Sequence, residues 1–111
     1  MVIGLDWDDT ISEYTIGFKK LVECATEIHI ITLNSTITEE LAKEVLGFAN
    51  HLTVHIMADE EIDTSLPDFG IGEWKANKCL EVGVGIMFDD MKEVVDSCIK
   101  VGVPAIQVQA R

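Results

Sequence analysis

Val2-Ile3-Gly4-Leu5-Asp6-Trp7-Asp8-Asp9-Thr10 is the stretch on which the reading of this chain turns. Four apolar residues in succession carry the pattern of a short strand buried on both faces. Asp6, Asp8 and Asp9 then arrive together where that strand ends, followed by a hydroxyl at Thr10. The stretch lacks the basic start and small-residue cleavage site of a signal peptide, so it reads as structure and not as an address.

Working outward, short apolar runs alternate with helical periodicity. Helical spacing of Phe18, Leu21, Val22 and Ala25 marks residues 14–26, and Ile28-His29-Ile30-Ile31 is a second strand. Thr36-Ile37-Thr38-Glu39 has capping-box spacing and opens a helix with Leu41, Val45 and Phe48 on one face. Residues 52–57 form a third strand, and residues 58–71, with Pro67, Gly70 and several acids, a loop. A helix over about 73–81 buries Ala76, Cys79 and Leu80 and is closed by Gly83. Residues 84–88 are a fourth strand. A helix over about 91–101, with Val94, Val95 and Cys98 inward, is stopped by Gly102 and Pro104, and residues 105–108 are the last strand. The order β-α-β-α-β-α-β-α-β with apolar strands predicts an α/β fold, a doubly wound, Rossmann-like, five-stranded parallel sheet in one domain over residues 1–111.

Composition bounds the function. The chain has 111 residues and a net charge of −12, with 20 acidic against 8 basic residues. The basic residues are scattered, which argues against nucleic acid as a partner, since a phosphate-binding face is basic. No apolar run approaches the roughly 20 residues needed to span a membrane. Cys24, Cys79 and Cys98 have no metal or redox spacing and read as buried thiols in a reducing cytoplasmic setting. His29, His51 and His55 lack ligand spacing and read as structural.

In a doubly wound sheet the ligand site lies beyond the carboxyl ends of the strands, at a switch point. Strand one ends in Asp6, Asp8 and Asp9, strand two in Thr32, Leu33, Asn34 and Ser35, and strand four in Asp89 and Asp90, while Lys75 starts the helix before strand four. Carboxylates so crowded repel by about 1–4 kcal/mol per pair unless a cation sits among them. Oxygen ligands without nearby His or Cys point to Mg²⁺.

These motifs resemble those of the haloacid-dehalogenase-like (HAD-like) phosphatases. An apolar strand leading into Asp6-x-Asp8-x-Thr10 is similar to the family's first motif. Ile30-Ile31-Thr32 is similar to its second, Lys75 to its third, and Met87-Phe88-Asp89-Asp90 to its fourth. The resemblance implies a Mg²⁺-dependent phosphomonoesterase acting on a phosphorylated substrate. Asp6 would be the nucleophile that forms an aspartyl-phosphate, and Asp8 the general acid and base. Thr32 and Lys75 would bind the phosphoryl group, and Asp6, Asp8 (through its main-chain carbonyl) and Asp89 would hold the metal. Asp90 would either support that metal or cap a helix, and Glu93 would cap or act through water.

The spacing leaves no room for the cap domain many relatives insert, and the flap after the first motif shrinks to about residues 12–16. A substrate would therefore meet an open site. The acidic stretch 59–63 is a solvated loop or a substrate rim that disfavours polyanions. Two other readings stay open. One is a HAD-like fold used as a non-catalytic phospho-ligand binding or regulatory module. The other is a phospho-receiver domain, which should carry a Lys after its fifth strand, where this chain has Val108-Gln109.

Overall fold

The computed structural model describes residues 1–47 and 51–109. Five strands form one parallel sheet: β1 (Val2–Leu5), β2 (Glu27–Thr32), β3 (Leu52–Ile56), β4 (Ile86–Asp89) and β5 (Ala105–Gln107). Their spatial order is β3-β2-β1-β4-β5, so the winding reverses between β1 and β4. Register is set with Leu5 opposite both Ile30 and Phe88. That alignment brings the ends of β1, β2 and β4 to one edge of the molecule.

Four helices cover the sheet: α1 (Thr15–Leu21), α2 (Glu39–Leu46), α3 (Ile71–Val82) and α4 (Lys92–Lys100). Two buried clusters show how they are layered. Phe18, Val22, Ala42 and Leu46 pack with Ile3, Leu5, Ile28 and Ile30 on one face, while Ala76, Cys79, Val94 and Cys98 pack with Ile31 and Met87 on the other. Helices therefore lie on both faces of an all-parallel sheet, the arrangement expected when each strand is a continuous apolar run. No helix among the described residues is long and apolar enough to cross a membrane.

Several local expectations are corrected. The N-cap of α2 is Thr38, whose hydroxyl accepts from Leu41 N–H at 3.1 Å; Thr36 instead bonds to Asn34. The buried stripe of the helix runs through Ala42 and Leu46, with Val45 packed beside it, and Leu41 is exposed; Phe48 lies outside the described residues. α1 ends at Leu21 and tightens into a short 3₁₀ turn over Val22–Cys24, which leaves Cys24 exposed and not buried. Leu80 is also exposed, because the buried face of α3 runs through Gly72, Lys75, Ala76 and Cys79. Gly83 ends α3 in the left-handed region, φ 75°, as the sequence suggests.

Residues 58–70 contain two short 3₁₀ turns, Asp59–Glu61 and Pro67–Gly70, and Trp74 Nε1–H on α3 donates to Glu61 at 2.5 Å. Asp68 and Phe69 take left-handed φ values of 50° and 58°, turning the chain into α3. Within α3, Gly72 faces α4 at close range: a Cβ on it would lie 2.6 Å from Ser97 Oγ and 2.9 Å from the Glu93 carbonyl oxygen. The two helices meet there nearly backbone to backbone.

Candidate active site

The turn that leaves β1 supplies the first group. Asp6 N–H still donates to the Phe88 carbonyl at 3.0 Å, continuing the β1–β4 ladder and fixing the carboxylate at the switch point. Beyond it the chain folds tightly: Asp9 sits at φ 61°, its N–H donates to Ser12 Oγ at 2.9 Å, and Ser12 N–H reaches back to Trp7 at 3.0 Å. Aspartate tolerates this left-handed backbone better than most residues. The turn buries Thr10 and exposes Asp8 and Asp9. Thr10 Oγ1 donates to Asp6 Oδ2 at 3.4 Å, so the hydroxyl ties the turn to the carboxylate.

Lys75 comes from the opposite side. It is not at the helix start but in the second turn of α3, and it is buried with 2 % exposure. Its Nζ donates to Asp6 Oδ1 and to Asp89 Oδ2, both at 2.8 Å. Asp89, wholly buried, also accepts from Met91 N–H at 2.9 Å through Oδ1. Asp90, half-buried, completes the group: one carboxylate oxygen from each of Asp6, Asp89 and Asp90 lies within 4.8 Å of the others. Asp6, Lys75 and Asp90 line a cleft of about 170 Å³ with Asp8, Asp9, Thr32, Leu33, Ile71 and Met91.

Electrostatics follow from the burial. Desolvation pushes the Asp6 pKa up to about 7, against the pull of the Lys75 ammonium. Burial likewise raises Asp89 above the usual carboxylate range. For Lys75 burial works against the charge, but the two carboxylates outweigh it and raise its pKa. With all three carboxylates deprotonated, the group and its one ammonium carry two net negative charges at the strand ends, and all the offered atoms are hard oxygens. That donor set fits a divalent cation of the Mg²⁺ kind.

A pH dependence follows. Asp6 and Asp89 hold protons in the native state that the unfolded chain releases, so their stabilising effect is present below about pH 4. It is lost as pH rises, for Asp6 through about 7. Metal-free protein should therefore melt at a lower temperature at pH 8 than at pH 5. Asp6→Asn should flatten part of that decline, and parallel curves for variant and wild type would contradict the assignment.

Of the residues singled out by sequence, Asp6, Lys75, Asp89 and Asp90 are brought together. Thr32, 1 % exposed, ends β2 in the same cleft. Its Oγ1 accepts from Asn34 N–H at 3.0 Å, which leaves its own hydrogen free to donate into the cleft. The Asp8 carboxylate is not part of the acidic group of three; it lies against Asn34. His29 and His55 pair with each other, Nδ1 to Nε2 at 2.8 Å, and lie outside the acidic group of three; His29 Nε2 also lies 3.2 Å from Glu27 Oε1, and burial pushes the His55 pKa down. The contact between Asn34 and Asp8 is the feature that sequence reasoning missed. From the sequence, Asn34 at the end of strand two reads as a helix-entry residue or a substrate contact, and neither reading reaches Asp8.

No protein-family model matches the chain, and comparison with curated protein sequences yields no match.

Proposed function

We propose that the chain is a Mg²⁺-dependent phosphohydrolase of the haloacid-dehalogenase-like type, with Asp6 as nucleophile and no cap over the site. The observation that carries this reading is the buried Asp6–Lys75–Asp89 triplet, with Asp90 beside it, at the carboxyl ends of the two strands flanking the switch point. A buried lysine bridging two carboxylates costs desolvation energy that a hydrophobic packing would not. Its placement in a cleft at a strand end matches a site for a phosphoryl group.

Asp6, Asp89 and Asp90 would hold the metal through carboxylate oxygens. When bound, Mg²⁺ supplies the charge neutralisation that lets an anionic nucleophile approach a phosphate dianion. The chain's own groups do the rest. Asp6 attacks phosphorus while Asp8 gives a proton to the departing oxygen, and Asp8 then takes a proton from the water that cleaves the aspartyl-phosphate. Thr32 Oγ1–H and the Lys75 ammonium stabilise charge on the transferring group. The cleft's own charge is acidic, with Asp8, Asp9 and Asp90 on its walls, which favours a substrate with one phosphoryl group over a polyphosphate.

The test is phosphate release from p-nitrophenyl phosphate in millimolar Mg²⁺. Release should vanish on chelation and return with Mg²⁺, and release indifferent to chelator would refute the reading. Mg²⁺ should also stabilise the native state through preferential binding, by roughly 1–3 kcal/mol at saturating ion, and so raise the melting temperature. Asp89→Asn should blunt that rise. Identical melting curves for the wild type with and without Mg²⁺ would remove the metal site.

A further inference from the structure

We infer that Asn34 is a positioning residue for Asp8, holding the proton-transfer carboxyl of the reaction just described, and the assignment rests on that reading. Asn34 lies two residues beyond the end of β2, and its carboxamide is engaged at both ends. Oδ1 accepts from Thr36 N–H at 3.0 Å and from Thr36 Oγ1–H at 2.6 Å. Both partners are donors to that atom, so the oxygen is fixed there and the amide cannot be flipped. Nδ2 is thereby directed across the cleft mouth to Asp8, donating to Oδ1 and Oδ2 at 3.3 Å each.

The bond from Oδ1 to Thr36 N–H is a local turn, of the kind asparagine makes wherever a loop needs one. It accounts for half of the amide. The other half reaches a residue 26 positions earlier, on a different strand end, and a turn has no use for it. Asp8 needs such a partner. Its side chain is exposed, and among the described residues both hydrogen bonds to its carboxylate come from Asn34. The backbone of the turn places its Cα, but without Asn34 its side-chain torsions would be free.

The chemistry makes the role measurable. In the first step the Asp6 oxygen–phosphorus bond forms, the ester phosphorus–oxygen bond breaks, and the leaving oxygen takes the Asp8 proton. Asp8 becomes a carboxylate and the alcohol departs neutral. How much that proton matters depends on the leaving oxygen: an alkoxide needs it, whereas a dinitrophenolate departs without it. A misplaced general acid, worth about 10²–10⁴ in rate when well placed, therefore penalises alkyl esters selectively.

The experiment compares Asn34→Ala with wild type in Mg²⁺, on an alkyl phosphate and on 2,4-dinitrophenyl phosphate. It reads kcat/KM, which covers the steps up to departure of the leaving group. The expected result is a loss of about 10- to 100-fold on the alkyl ester and less than about 3-fold on the dinitrophenyl ester. Thr36→Val, which removes one of the two donors holding Oδ1, should show the same pattern more weakly, and melting temperatures confirm that both variants are folded. An equal loss on both esters marks Asn34 as merely structural and overturns the assignment, as does no loss on either. A wild-type protein inert toward both esters overturns the phosphohydrolase reading itself, and this assignment with it.

Discussion

Asp6→Asn is expected to lower phosphate release from p-nitrophenyl phosphate by at least about 10³-fold, the scale on which loss of a covalent nucleophile is felt. The substitution is close to isosteric and keeps an oxygen that can accept from Lys75, now 2.8 Å from Asp6 Oδ1. What it removes is the anionic oxygen that attacks phosphorus. The fold should not suffer, because the wild-type carboxylate is itself held against desolvation, with a pKa pushed up to about 7. A folded Asp6→Asn protein with activity within tenfold of wild type would sink the nucleophile assignment. A folded, inactive variant that still gains melting temperature from phosphate would mean that binding survives without turnover.

Lys75→Met should carry the largest cost to stability, about 3–5 kcal/mol near pH 7.5, the usual scale for breaking a buried ion pair by removing one partner. Methionine fills much of the lysine stem's volume, so the loss is charge more than packing. Asp6 and Asp89 would be left buried, 6 % and 0 % exposed, with no ammonium between them. The cost should shrink at pH 5, as both carboxyls take up protons, and Mg²⁺ should recover part of it at pH 7.5. Denaturant titrations at the two pH values, with and without Mg²⁺, measure all three effects. A deficit that ignores both pH and metal would show that the ammonium serves only to fill space.

The architecture was largely legible because its signals are local. Apolar runs marked the strands, Gly83 closed α3, and the acids after Leu5 and Phe88 announced where two strands end. The meeting of Asp6, Lys75 and Asp89 needed one further inference, that β1 and β4 are neighbours, which parallel winding made available. Other features were hidden for physical reasons. Thr36 and Thr38 both offer a hydroxyl ahead of the same helix, and only the competition from Asn34 for Thr36 decides between them. Leu41, Leu80 and Cys24 are apolar residues whose exposure depends on a helix's phase or end, which periodicity gives only within a residue or two. The reach from Asn34 to Asp8 crosses between strand ends and leaves no trace in sequence spacing.

Gly72 shows what such a fold asks of anyone wishing to improve it. Replacing a helical glycine by alanine is among the safest stabilising edits in protein engineering, because alanine has the higher helix propensity by about 1 kcal/mol. Here the added methyl has no place to go: Ser97 and the Glu93 backbone already occupy its volume, so α3 would have to back away from α4. Lys75 rides one turn further along that same helix, and the retreat would withdraw its ammonium from the two oxygens it bridges. The absent side chain acts as a spacer setting of zero thickness. A residue that touches no substrate thus sets the working tolerance of the one cation the site possesses among the residues lining its cleft.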